Sequence, residues 1–289
     1  MPPFRDVPSA ILGRIIAVLF MGTLVAGPAP AYIMGRDDRA AVDAQDLALP
    51  AVRQTGIVHI EAEDFVTGLL TGANCDVVIS AGHAAYYDSN NEWKGWKKGE
   101  RRAHGMLGFA LDPDAPSIPM QLMESGYDTP SAVGRDDTDW AVFRLSRPAL
   151  PACTEIPVGL STLQCERRAY LPAYHFDRRD TRLIDRACSA EASTQPGVIV
   201  HDCDTKEGSS GAPLMCRVEG GPVLIGINVS GLARERYYDP GVYGQTGEEF
   251  DMTWHKNYAV AVHGDFYRAL QSELRASRER AASVQPPAP

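Results

Sequence analysis

Residues 207–214 read Glu207-Gly208-Ser209-Ser210-Gly211-Ala212-Pro213-Leu214, a serine held among glycines just where an apolar strand is about to begin. Small residues on both sides leave a hydroxyl exposed and let the backbone turn sharply. Amide N–H groups beside the serine can then point into the same space as its oxygen, which suits a nucleophile with an oxyanion hole. Gly-Ser clusters also form plain turns. The reading therefore depends on residues elsewhere that could activate a serine.

Two upstream segments supply them. Val77-Val78-Ile79-Ser80-Ala81-Gly82-His83-Ala84 is buried-strand sequence that ends in small residues and delivers a histidine at its edge. Asp137-Thr138-Asp139-Trp140-Ala141-Val142-Phe143-Arg144-Leu145 leads from a carboxylate into an apolar strand. Asp136 and Asp137 rival Asp139 for that carboxylate. Asp139 is preferred because it sits directly against the apolar run, where a buried carboxylate must lie to meet a histidine. His59, His104, His175, His201, His255 and His263 lack a setting comparable to that of His83. Taken singly, a histidine in a β-rich chain is usually structural and an aspartate before a strand is usually a turn residue. Taken together, the three segments form a catalytic constellation. Their order is His, Asp, Ser. An α/β-hydrolase runs Ser, acid, His and carries G-x-S-x-G, whereas Ala212 stands at the final glycine position here and no suitable histidine motif follows.

The texture around these segments is all-β. From Ile57 the chain alternates short apolar runs with Gly, Pro, Asn and Asp. It predicts strands at Ile57–Glu61, Phe65–Leu70, Val77–Ser80, Trp140–Leu145, Arg168–Ala173, Val198–His201, Leu214–Val218, Val223–Val229 and Tyr258–Val262. Many short strands separated by turn signals point to a barrel or sandwich and not to a βαβ fold. One helix is predicted over residues 265–276, from the spacing of Phe266, Tyr267, Leu270 and Leu274 behind a capping Asp265. Residues 277–289, Pro-rich at their end, read as a disordered tail. Trp93–Arg102 carries two Trp, three Lys and two Arg. It reads as a solvated loop, with a surface for an anionic partner as the alternative.

The N-terminus looks like an export signal. Arg5 and Arg14 precede an apolar stretch from Ile15 to Gly27, and Ala29-Pro30-Ala31 offers an A-x-A cleavage site before Tyr32. That stretch is shorter than the about 20 residues a transmembrane helix needs. Residues 1–31 are thus expected to be removed, leaving 32–55 as an N-terminal arm or propeptide. Their loss takes away Arg5, Arg14 and Asp6 and deepens the formal net charge of −9 by one. So acidic a surface repels nucleic acid and anionic lipid, and no later segment is apolar enough to insert in a membrane. The mature part holds all six cysteines, an even count that in an exported chain suggests three disulfides. There is no C-x-x-C pair and no tight Cys/His cluster, so no metal site is expected.

On these residues the chain resembles the trypsin-like serine endopeptidases, specifically their bacterial exported branch near the glutamyl endopeptidases. Ser80-Ala81-Gly82-His83 is similar to that family's T-A-A-H segment, Asp139-Trp140-Ala141-Val142 to D-I-A-L, and Gly208-Ser209-Ser210-Gly211-Ala212-Pro213 to G-D-S-G-G-P. Gly226-Ile227-Asn228-Val229-Ser230-Gly231 is similar to the strand that lines the primary specificity pocket and pairs with the substrate backbone. The resemblance covers about residues 56–276. It implies a double six-stranded antiparallel β-barrel with a C-terminal helix, barrel one at about 56–150 and barrel two at about 160–262. It also implies a polypeptide substrate, a triad of His83, Asp139 and Ser210, and an oxyanion hole from the N–H groups of Gly208 and Ser210. This chemistry requires no cofactor. A noncatalytic binding protein on the same fold, and an esterase using the same triad, are the alternatives.

Departures from the family carry their own expectations. Ser209 stands where trypsin has an aspartate that pairs with the new N-terminal ammonium after zymogen cleavage, and no I-V-G-G sequence occurs near the start. Activation by that ion pair is therefore not expected. Ala84 replaces a cysteine that follows the histidine in many animal relatives. Cys216 matches a family cysteine, with Cys165 its best partner, which suggests Cys188 with Cys203 and Cys75 with Cys153 among the fifteen possible pairings. Asp204 lies six residues before Ser210, where trypsin keeps its pocket-bottom carboxylate, which would favour Arg or Lys at P1. Asn228 stands where the glutamyl endopeptidases place a pocket histidine, with Val229, Ser230 and Gly231 following as substrate-binding positions.

Overall fold

Val78 and Phe143 are buried with Leu70 and Phe109, while their chain neighbours Val77, Ile79 and Val142 are buried with Met215, Ile227 and Val260. Successive residues of a strand point to opposite faces, so these strands are covered on both sides. Their sequences accordingly read as unbroken apolar runs. One face fills the strand's own barrel; the other packs against a second barrel.

The computed structural model describes residue 33 and residues 36–60, 64–86, 108–127, 136–159, 164–233 and 255–284. The expected export segment 1–31, the Trp93–Arg102 loop, His104 and residues 285–289 lie outside them. The short strand β1 (Ala40–Ala41) comes first. Barrel one follows, from β2 (Thr55–His59), β3 (Phe65–Thr71), β4 (Val77–Ser80), β5 (Gly108–Ala110), β6 (Ile118–Ser125) and β7 (Ala141–Leu145). It closes in the order β2-β3-β4-β7-β6-β5, antiparallel throughout. Barrel two uses β8 (Cys165–Ala173), β9 (Leu183–Ala192), β10 (Val198–His201), β11 (Pro213–Val218), β12 (Gly221–Ala233) and β13 (His255–Ala261). Its order is β9-β10-β13-β12-β11-β8, closed by pairing of β8 with β9, and β1 adds to the outside of β9.

Three disulfides staple this frame: Cys75–Cys153, Cys165–Cys216 and Cys188–Cys203. These are the pairings the resemblance implied. They suit an oxidising compartment. No helix among the described residues is long and apolar enough to cross a membrane.

The structure departs from the sequence reading in several elements. Strands β5, β6 and β9 were not expected. β5 is only Gly-Phe-Ala, β6 carries Pro119 inside its inward Ile118, Met120, Leu122 alternation, and β9 contains Asp185, Arg186 and Glu191. Proline and charge both demote a strand reading, and tertiary pairing overrides them. Besides the one-turn helix α2 (His83–Tyr86), the C-terminal helix, α3 (Gly264–Val284), runs eight residues past the expected end, so residues 277–284 are not a disordered tail. Its extension is rich in Ala, Arg and Glu, strong helix formers. Ser277 and Arg280 both bind the carboxylate of Asp76, and Glu273 pairs with Arg144 on β7 at 2.8 Å, which ties α3 to barrel one.

The segment expected as an N-terminal arm or propeptide is built into the body from residue 36 on. Besides β1 it forms a 3-10 turn at Asp46–Ala48 and the one-turn helix α1 (Pro50–Arg53), with Pro50 at the first helical position where its missing N–H costs nothing. Ala51 and Val52 are buried in the core between the barrels.

Candidate active site

Pairing of β4 with β7 sets Ser80 opposite Ala141. The chain leaving β4 therefore runs beside the chain entering β7, and His83 arrives level with Asp139. Gly82 permits the approach: a Cβ there would lie 2.9 Å from the Trp140 nitrogen and 2.6 Å from the Tyr127 Cβ. Asp139, and not Asp136 or Asp137 in the 3-10 turn before it, is the carboxylate that grips His83. Its Oδ1 accepts the His83 backbone N–H at 2.7 Å and its Oδ2 lies 2.7 Å from Nδ1. The proton therefore resides on Nδ1 and Nε2 is left as the basic nitrogen. Burial alone would pull His83 below its ordinary value; the charge and hydrogen bond of Asp139 outweigh it and hold the ring above that value.

The Ser210 turn belongs to barrel two yet is bolted to barrel one. The Thr67 N–H donates to the Ser210 carbonyl at 2.8 Å, and the Thr67 hydroxyl donates to the Gly208 carbonyl at 2.9 Å. Ser80 Oγ completes the seam by donating to the Thr67 carbonyl at 2.7 Å. Gly208 and Gly211 both sit in the left-handed region, at φ +94° and +82°, conformations that favour glycine. The Ser210 hydroxyl donates to the Val229 carbonyl at 3.4 Å, a long bond, and among the described residues none joins it to His83. Val229 lies at a register shift of β12 against β13, between Asn228 and Ser230.

Ser209 is buried and held by neutral groups. Its hydroxyl donates to the Lys206 carbonyl at 2.7 Å and accepts from Asn228 Nδ2 at 3.1 Å. Asn228 Oδ1 faces His201 Nε2 at 3.1 Å. Since the Asn228 amide donates toward Ser209, that ring nitrogen carries the proton. Burial pushes His201 down to about 4, against the opposing hydrogen bonds of Asn228 and the Tyr258 backbone. His175 is pushed down to about 3, by burial first and then by the Arg39 cation.

Both rings thus sit neutral in the folded protein and bind protons more readily when it unfolds. Their contribution to stability is complete above the unfolded value near 6.5 and is lost as pH falls toward about 4 and about 3. Stability is expected to drop by about 1 kcal/mol per pH unit for each ring below pH 6. Urea midpoints at pH 7, 6 and 5 check this; a flat profile would mean that the rings are charged in the folded state.

Other expected site residues lie as follows. Asp204 is buried and its Oδ2 accepts the Asp38 N–H at 2.6 Å, while its own N–H donates to Asp185. The Asn228 side chain is turned inward to Ser209 and His201. Ser230 and Gly231 pair through the backbone with Tyr258 and Asn257 of β13. The N–H groups of Gly208 and Ser210 donate to no acceptor among the described residues. Sequence reasoning missed the roles of Thr67, Ser80 and His201, which hold the turn; each is a polar residue in a largely apolar strand and carries no local signal of that role. Among the described residues no group of three or more His, Cys, Asp or Glu could hold a metal ion.

Two closed antiparallel barrels, with the His-Asp pair on one and the serine turn on the other, define a chymotrypsin-like fold. The chain is similar to a solved Glu endopeptidase, with TM-score 0.56 at 14% identity over 84% of this chain and 99% of that one. A kallikrein-related peptidase 10 in complex with Zn2+ aligns with TM-score 0.46 at 12% identity, over 80% of this chain and 98% of that one. Neither a family model nor a curated protein matches the sequence.

Proposed function

We propose that this protein is an exported serine endopeptidase that cleaves peptide bonds through an acyl-enzyme. The observation that carries the reading is the two-point grip of Asp139 on His83, which leaves a basic Nε2 on the barrel facing the Ser210 turn. On substrate binding the Ser210 hydroxyl turns from Val229 to His83 Nε2. Ser210 Oγ attacks the scissile carbonyl as its proton passes to Nε2, and Asp139 stabilises the imidazolium. The N–H groups of Gly208 and Ser210 take up the oxyanion charge, worth about 3–4 kcal/mol where such donors have been removed. His83 then protonates the leaving amine, and water attacks the acyl-serine by the reverse sequence.

Export is supported by the N-terminal signal pattern and the three disulfides. Basic P1 specificity has only the charge of Asp204 behind it, and that carboxylate already accepts the Asp38 amide. A panel of peptides varied at P1 decides the specificity, and indifference to Arg and Lys would remove Asp204 from the pocket. Fluorophosphonate labelling tests the enzyme itself. The mature chain is expected to label at Ser210, Ser210→Ala to lose the label, and His83→Ala to label far more slowly. An unlabelled wild-type chain would leave a noncatalytic protein on this fold. Matched amide and ester substrates separate a peptidase from an esterase.

A further inference from the structure

The loop that leads into Ser210 rests on groups that the reaction does not use. The Lys206 N–H donates to His175 Nδ1 at 3.2 Å, and the Phe176 N–H donates to the Glu207 carbonyl at 2.8 Å. Lys206 in turn receives both the N–H and the hydroxyl of Ser209 on its carbonyl, at 3.1 and 2.7 Å. Gly208 lies flush on the same support, since a Cβ there would stand 3.2 Å from the His175 Cα and the Phe176 nitrogen. Residues 175–177 are therefore the bed on which residues 206–209 lie.

That bed is clamped by the N-terminal arm. Arg39 donates to both oxygens of Asp177, at 3.1 and 2.7 Å, and to both oxygens of Asp37 at 2.9 Å. Its side chain is 2% exposed. A guanidinium so placed, with each of two carboxylates taking two of its N–H groups, is among the stronger and more directional ion pairs. Next to it the Asp38 N–H donates to Asp204 of the same loop, and β1 continues the arm along β9. The Arg39 charge also opposes protonation of His175, and only neutral His175 can accept from Lys206 through Nδ1.

We infer that the arm, through Arg39 on Asp177 and the Asp38 amide on Asp204, positions the 204–210 turn from inside the folded chain. It occupies the role that a freshly cut amino terminus plays where Ser209 is an aspartate. Arg39 touches neither nucleophile nor carbonyl and acts through Asp177, His175 and Lys206, so it is a positioning residue. The inference rests on Ser210 being the nucleophile.

The test is the rate constant of fluorophosphonate labelling, read together with its amplitude, in the full mature chain. Arg39→Ala and Asp177→Asn are each expected to slow labelling of the whole population by about 10²-fold, as expected for an active-site group displaced by about 1 Å. Steady-state assays of both should lose kcat with KM little changed. Arg39→Lys should recover only part, because one ammonium cannot span two carboxylates. The double variant should be no slower than either single one. Residues added ahead of Tyr32 should leave the rate unchanged. Wild-type rate constants in Arg39→Ala and Asp177→Asn overturn the inference. So does a fall in labelled fraction with an unchanged rate constant, the mark of a merely structural role, or loss of labelling when residues are added ahead of Tyr32. If Arg39→Ala does not fold, Asp177→Asn decides. Failure of the wild-type chain to label would instead overturn the triad reading.

Discussion

Asp139→Asn is expected to lower kcat by about 10⁴ without unfolding the protein, the size of the effect in the general triad template. The reason lies in the two hydrogen bonds Asp139 makes. The His83 backbone N–H can only donate, so the oxygen of an asparagine must face it, where Oδ1 now accepts at 2.7 Å. The amide NH2 is then left facing Nδ1, where Oδ2 now lies 2.7 Å away. An NH2 there demands that Nδ1 accept. The proton moves to Nε2, which can no longer take one from Ser210. Asparagine keeps the volume and both contacts, so stability should change little. The pH profile should change as well. As the proposed base, His83 would have to be neutral to act, so kcat/KM is expected to rise with pH through a value above the ordinary 6.5, because the Asp139 charge and hydrogen bond outweigh burial. Without that charge the residual activity should rise at lower pH. Steady-state kinetics from pH 5 to 9 with a peptide ester check both points. A loss under tenfold would mean that Asp139 does not orient the base.

Gly211→Ala is expected to destabilise the fold by about 4 kcal/mol, combining left-handed backbone strain with overpacking. Gly211 has φ +82°, and a Cβ there would lie 2.2 Å from Ser80 Oγ and 2.2 Å from the Thr67 carbonyl oxygen. Neither can retreat, since the two are hydrogen-bonded to each other and the Thr67 N–H holds Ser210. The clash falls at the junction of the barrels, so fluorophosphonate labelling should slow along with the drop in urea midpoint. Gly220→Ala is the control. It has φ +96° but nothing within 4 Å, so it should cost only the backbone strain, about 1 kcal/mol. Equal costs at both positions would mean that the Ser210 turn is not pressed against β4.

Legibility followed locality. The β4 and β7 segments were readable because an apolar run buried on both faces leaves a dense signature. Residues 108–110 were too few, Pro119 masked the alternation of β6, and the charges of β9 hid it, since edge and loop contacts satisfy them only in three dimensions. The arm was legible only as polar sequence. Arg36-Asp37-Asp38-Arg39 is a run of charges in a segment expected as an arm or propeptide, yet Arg39 ends buried between two carboxylates, one of them 138 residues away.

By itself the sequence determined three candidate segments, their order, an all-β texture and an even set of cysteines, because each segment and each strand is written within about ten neighbouring residues, and order and count need no folding. Only the tertiary structure decided which of three aspartates meets His83, how the cysteines pair, and what holds the Ser210 turn. Those contacts join residues 56, 51 and 166 positions apart, at His83 with Asp139, Cys165 with Cys216 and Asp38 with Asp204. A local pattern or a resemblance can suggest such contacts but does not make them. They exist because two barrels, each closed by its own hydrogen bonds, must bury their outer apolar faces against each other, and this sets Ser80 and Ala81, just before His83, against the Ser210 turn.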